Sequence, residues 1–226
     1  FFAGTQHGPG AFPPSSTGTG QELRNPTDYW WNMRALLVAL TDWVVDGVAP
    51  PTSQYPSFAQ GNLVTPADVN FPTLPNVRSP HDRTAGARVE NHWLNVKDDK
   101  GVSLPMFVPQ VDDDGNETSG ILHPEVSVPL ATYTGWNFSD PDHGDPDTLV
   151  SLAGSYIPFS STRTQRETRR DPRLAIEERY PSRQNFLTRI EDAGLLLVKE
   201  RYLLEADLPS IIRRASEHWD LLTEVR

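Results

Sequence analysis

Proline placement constrains this chain more than any other feature: 18 of its 21 prolines fall in residues 1–159, and only Pro172, Pro181 and Pro209 follow. Proline lacks a backbone donor and clashes with the preceding helical turn, so the first part cannot be mostly helix. Charge divides at the same place. Residues 1–159 carry 7 basic and 18 acidic side chains, and residues 160–226 carry 13 and 12. The tail therefore reads as a mixed-charge helical region rather than a basic arm. A total of 20 basic against 30 acidic residues, net −10, argues against a nucleic-acid or anionic-membrane surface. No cysteine is present, which excludes disulfides, thiolate metal sites and a cysteine nucleophile. No apolar run approaches the length that crosses a bilayer.

The chain opens on Phe1-Phe2-Ala3-Gly4-Thr5-Gln6-His7-Gly8-Pro9-Gly10, an apolar run breaking into a glycine-rich turn. The pattern predicts the end of a buried strand that delivers His7 to a loop at its carboxyl end, where open α/β sheets keep their chemistry. A strand is not stable alone, and no strong parallel partner follows. The chain is expected to be the carboxyl-terminal part of a longer protein that holds most of the sheet. After a loop, Asn25 as N-cap and Pro26 at the first helical position predict a helix from about Pro26 to Asp46, apolar nearly all round and therefore buried. Gly47 and Pro50-Pro51 end it.

A long irregular excursion is expected from Pro50 to Pro158. Within it, Met106 to Val111 and Glu117 to Leu122 read as a hairpin turning at Asp113-Asp114-Gly115-Asn116, and Val126 to Tyr133 as extended. In the tail, a helix from the Ser182 cap to about Arg201 should bury Phe186, Ile190, Ala193 and Leu197, with Leu187 and Val198 beside them. A second, from about Leu208 to Glu224, carries apolar residues at helical spacing. Shorter turns are placed at Thr162–Arg169 and Leu174–Arg179. The three regions are then 1–49, 50–159 and 160–226.

Among residues able to do chemistry, His7 stands first, because an imidazole titrates near neutrality and serves as base and then acid. No G-x-S-x-G elbow occurs, and Ser155 in Gly154-Ser155-Tyr156-Ile157 reads as structural. Tyr29, Trp30, Tyr133 and Trp136 are candidate cleft-lining residues, set against the ordinary fate of large rings, which is burial in a core. The clusters Asp112 to Glu117 and Asp140 to Asp147 invite a calcium reading. Solvated acidic turns are commoner, and no metal site is assigned. His81, His92, His123 and His218 show no ligand spacing, and the arginines from Arg163 to Arg173 read as a solvated helix face.

With these residues laid out, the chain resembles the carboxyl-terminal half of the bacterial α/β-hydrolase-domain proteins. The resemblance rests on Gly4-Thr5-Gln6-His7-Gly8-Pro9, Asn25-Pro26-Thr27-Asp28-Tyr29 with Arg34-Ala35-Leu36-Leu37, and Asp46-Gly47-Val48-Ala49-Pro50-Pro51. It continues in Val108-Pro109-Gln110-Val111-Asp112, Tyr133-Thr134-Gly135-Trp136-Asn137, Gly154-Ser155-Tyr156-Ile157-Pro158-Phe159 and Glu178-Arg179-Tyr180-Pro181-Ser182-Arg183. It implies an α/β fold whose last strand and following helix are seen here, with the excursion and helical tail appended. It also implies a serine hydrolase of carboxylic esters in which His7 is the triad histidine, the serine and acid lying upstream of Phe1. No cofactor is implied; the partners are the upstream part of the same protein and a small or polymeric ester. Two other readings stay open: a non-catalytic hydrolase-like scaffold, and a calcium-stabilised module built on Asp140 to Asp147.

Overall fold

A computed structural model describes residues 1–78, 81, 85–89 and 102–224; His92 lies outside them. The strands are Leu23–Arg24 (β1), Leu63–Val64 (β2), Ala85–Val89 (β3), Val102–Pro105 (β4), Val108–Pro109 (β5), Ala131–Tyr133 (β6) and Ser155–Pro158 (β7). The helices are Trp30–Asp46 (α1), Pro124–Ser127 (α2), Arg163–Arg169 (α3), Ile176–Arg179 (α4), Arg183–Lys199 (α5) and Leu208–Thr223 (α6).

Strand β7 is central, paired antiparallel with β1 on one edge and β6 on the other, so that Tyr156 lies opposite both Leu23 and Tyr133. Successive side chains on a strand point to opposite faces. Accordingly Tyr156 joins Ala3, Val126, Ala131 and Tyr133 in one buried cluster, while Ile157 joins Val69, Phe71 and Leu74 in another. A third and larger cluster unites Ile121, Leu130 and Phe159 with the helical tail.

The tail follows its local signals. Ser182 Oγ accepts from Asn185 N at 3.1 Å and starts α5, and Thr162 Oγ1 accepts from Gln165 N at 3.2 Å and starts α3. Helix α5 buries Phe186, Ile190 and Leu197, with Gly194 in place of the expected Ala193, because Leu208 packs where a Cβ at Gly194 would lie. Helix α6 buries Leu208, Ile211, Ala215 and also His218.

Elsewhere, tertiary contacts overrule the local pattern. Of the expected opening strand only Phe2 is paired, in a parallel bridge to Ile121, and Gly4 at φ 62° turns the chain out of the extended region. The Asp112–Asn116 turn is present, with one bridge between Val111 and Glu117, but the expected hairpin does not extend from it: β5 pairs instead with β2. Val126 lies in the short helix α2, not in an extended run. Helix α1 begins at Trp30 rather than Pro26: Asn25 Oδ1 accepts from Thr27 N in a local turn, and the chain enters the helix after Asp28, whose Oδ1 accepts from Trp30 N at 3.0 Å.

Nor is α1 buried. It covers Asn32, Ala35 and Ala39, half-buries Trp31 and Leu36 against the tail, and leaves Leu37 63% and Val44 77% exposed. The arginine run is also divided: Arg173 is buried, paired with Asp171 at 2.6 Å and donating to Ile157 O at 2.9 Å, so it locks β7 rather than facing solvent. Among the described residues no helix is long and apolar enough to cross a membrane.

Candidate functional site

Flexible glycines at 4, 8 and 10 and the donor-less Pro9 leave the segment Gly4–Gly10 without regular structure, so its shape is set by contacts from distant parts of the chain. Gly4 O accepts from Asn25 Nδ2 at 2.8 Å, and the same amide reaches Thr134 O at 2.9 Å. Asn25 Oδ1 accepts from Thr27 N at 2.9 Å, closing a local turn. Gly4 N donates to Glu117 Oε2 at 2.7 Å, and Gln6 Oε1 accepts from Gly154 N at 2.9 Å. Tyr29 donates its hydroxyl to His7 O, and Gly10 N donates to Thr27 O at 3.2 Å. The loop is held by its backbone and by the Gln6 side chain, and the His7 side chain is left exposed. A free imidazole on a fixed loop can accept and return a proton, provided a nucleophile is brought to it.

The four aromatic candidates separate into two groups. Tyr29 touches the His7 loop directly and stacks on Phe2 at 5.2 Å, while Trp30 beside it is 53% exposed. Tyr133 and Trp136 lie behind the loop, on the wall of an apolar cleft of about 120 Å³. That cleft is formed by Pro66–Phe71, Met106–Val111 and Tyr133–Phe138. Phe71 and Phe138 meet Trp136 edge-on at 5.5 and 5.6 Å. Cleft and loop adjoin at two points. Glu117, on the cleft wall, accepts from Gly4 N, and Gly135 sits where a Cβ would come within 2.9 Å of Thr5 O.

Burial among apolar groups pushes the Glu117 carboxyl up to about 7, opposed by the Gly4 N–H. Sequence reasoning missed both Glu117 and Asn25 as supports of the loop. No local signal marks either, since each acts on residues more than twenty positions away.

Beneath the loop lies a second group of polar side chains. Arg214 Nε donates to Glu125 Oε1 at 2.8 Å, and its guanidinium reaches Pro26 O and lies 5.8 Å from the Trp31 ring. His123 stacks on Trp31 at 5.6 Å, and His218 Nε2 meets the Tyr156 hydroxyl at 2.6 Å. Burial lowers both imidazoles to about 3, with Arg214 adding to the effect. They pack and hydrogen-bond as neutral rings. His81 Nε2 contacts Val69 O at 2.6 Å.

Ser155 is fully buried and donates to Trp136 O at 2.7 Å, a structural bond that leaves no free nucleophile there. The acidic clusters hold turns: Asp112 Oδ1 accepts from Asp114 N and Asn116 N, Asp140 Oδ1 from Asp142 N, and Asp145 Oδ1 from Asp147 N. Among the described residues no three His, Asp or Glu side chains converge as metal ligands do.

Compared with known proteins, the chain matches no curated protein and no solved structure. The profile of one family, described as Alpha/beta hydrolase domain, matches residues 4–213. That match runs from the glycine that opens the His7 loop to the middle of α6, and by it the chain belongs to the α/β hydrolase domain family.

Proposed function

We propose that this chain is the histidine-bearing portion of a serine hydrolase that cleaves carboxylic esters, with His7 as the general base. The observation that carries the reading is the exposed His7 imidazole on a loop whose backbone is held by Asn25, Glu117 and Tyr29 and whose Gln6 side chain is held by Gly154 N. In the proposed reaction the serine hydroxyl attacks the ester carbonyl while His7 takes its proton. His7 then protonates the departing alkoxide, and water repeats the sequence to release the acid.

The serine and the acid that orients His7 belong, in this reading, to an upstream part of the same protein that carries the rest of the sheet. The apolar flank of α1 supports such a partner. Leu37, Val38, Trp43, Val44 and Val45 are all exposed, and a soluble surface rarely leaves so much apolar area uncovered. Tyr29 and Trp30, beside His7, are the proposed substrate contacts on the open side of the loop.

The test is His7→Ala in the longest natural form of the protein, assayed on a panel of small esters and with a fluorophosphonate probe. Ester hydrolysis should fall by about 10⁴-fold or more while the unfolding midpoint stays in place, because the side chain is exposed. Retention of most of the activity would sink the assignment.

A further inference from the structure

We propose that the apolar cleft behind the His7 loop is a binding pocket for a neutral, ring-sized apolar group. The cleft holds about 120 Å³ and is partly open to solvent, with Leu149 at its rim. An apolar cavity of about 150 Å³ in another protein stays dry and takes up benzene, which sets the scale of an occupant here. The walls suit a ring. Phe71, Trp136 and Phe138 present an edge-to-face aromatic array, and Val69, Val108 and Val111 complete the apolar lining.

Chemistry selects the charge of the ligand. Among the described residues no Lys or Arg lines the cleft, and Glu117 is its only carboxylate, so an anion would be desolvated beside an acid with no cation to meet it. Of the other polar groups, Thr134 Oγ1 accepts from Ser155 N at 3.0 Å and Glu117 Oε2 accepts from Gly4 N. The Tyr133 hydroxyl, buried without a hydrogen-bond partner among the described residues, is influenced by Glu125, Tyr156 and Arg214 on the helical side. What is left for a ligand is apolar contact.

The pocket is also placed to matter. An occupant presses on Glu117 and on the Thr134–Trp136 turn, and these are the groups that touch Gly4 and Thr5 of the His7 loop. The proposal stands on the cleft itself and is read by direct binding, whether or not His7 proves catalytic.

The experiment titrates the full chain with fluorobenzene, followed by ¹⁹F NMR, with benzoate as the anionic control. Saturable binding of fluorobenzene and none of benzoate is expected. Val69→Phe, which fills the cleft from a residue 6% exposed, should weaken binding by about tenfold or more. Leu149→Phe, at a rim position 37% exposed, narrows the same cleft with less risk to folding and should weaken it too, near-UV circular dichroism reporting that the aromatic packing of the fold persists. Absence of saturable binding to the unaltered chain, equal uptake of benzoate, or unchanged affinity in both variants would overturn the proposal.

Discussion

Asn25 is the residue on which the candidate site turns. It is fully buried, and its amide joins three parts of the chain by donating to Gly4 O and Thr134 O while accepting from Thr27 N. Removing it leaves two carbonyls and one N–H buried without partners, and each such group costs about 1–3 kcal/mol. Asn25→Ala should therefore lower stability by about 3 kcal/mol or more, read from urea unfolding. Asn25→Asp should do no better, since it places a carboxylate against two carbonyl oxygens where the amide donated. A loss below about 1 kcal/mol in both variants would show that the loop is held by other means.

Helix α1 shows what an element gains and lacks. Its inner stripe of Asn32, Ala35 and Ala39 is narrow, and Asn32 Nδ2 donates to Tyr202 O at 2.9 Å to fasten it to the tail. In the 226-residue chain, Leu37→Ser and Val44→Ser should each change stability by no more than about 0.5 kcal/mol, because both side chains already face solvent. Ala39→Leu should cost about 1–3 kcal/mol by overpacking a position 3% exposed. Equal costs at both kinds of position, measured by the same unfolding assay, would contradict this placement of the helix. Local caps made several helix ends legible in the sequence, α5 at Ser182, α3 at Thr162 and the end of α1 at Gly47, and α6 begins at the expected Leu208 on its apolar spacing without a side-chain cap. The start of α1 falls one turn past the expected position: Asn25 Oδ1 closes only a turn at Thr27 while its amide holds the distant Gly4 and Thr134, and the helix is entered after Asp28, which accepts from Trp30 N. The same distinction holds at the site. A histidine among glycines announces a loop, whereas the pairing of Glu117 with Gly4 and the separation of Tyr29 from Tyr133 depend on how distant segments pack.

At the scale of the whole molecule, the sheet and the tail meet through buried polar side chains rather than through apolar contact alone. Tyr156 at the centre of β7 reaches His218 on α6, and Arg214 on the same helix reaches Glu125 in α2. This arrangement ties stability to pH. The His218 imidazole is held neutral in the fold down to about 3, whereas an unfolded chain protonates it near its ordinary value of 6.5. Below that value the unfolded state binds the extra proton, so the stability contributed by the neutral ring is complete above pH 6.5 and is lost as pH falls toward 3. His218→Gln keeps a polar atom for the Tyr156 hydroxyl but cannot titrate. The stability advantage of the natural chain over this variant should shrink by about 1.4 kcal/mol per pH unit on acidification below the histidine range, before the fold itself is lost. Comparing the two proteins cancels the opposing contribution of Glu117, whose raised carboxyl favours the fold at low pH and loses that effect as pH rises through about 7. Urea midpoints measured for both across this range decide the matter: a gap that stays constant would mean that His218 is protonated in the fold as readily as out of it, and that the Tyr156–His218 contact is not the dry junction between sheet and tail.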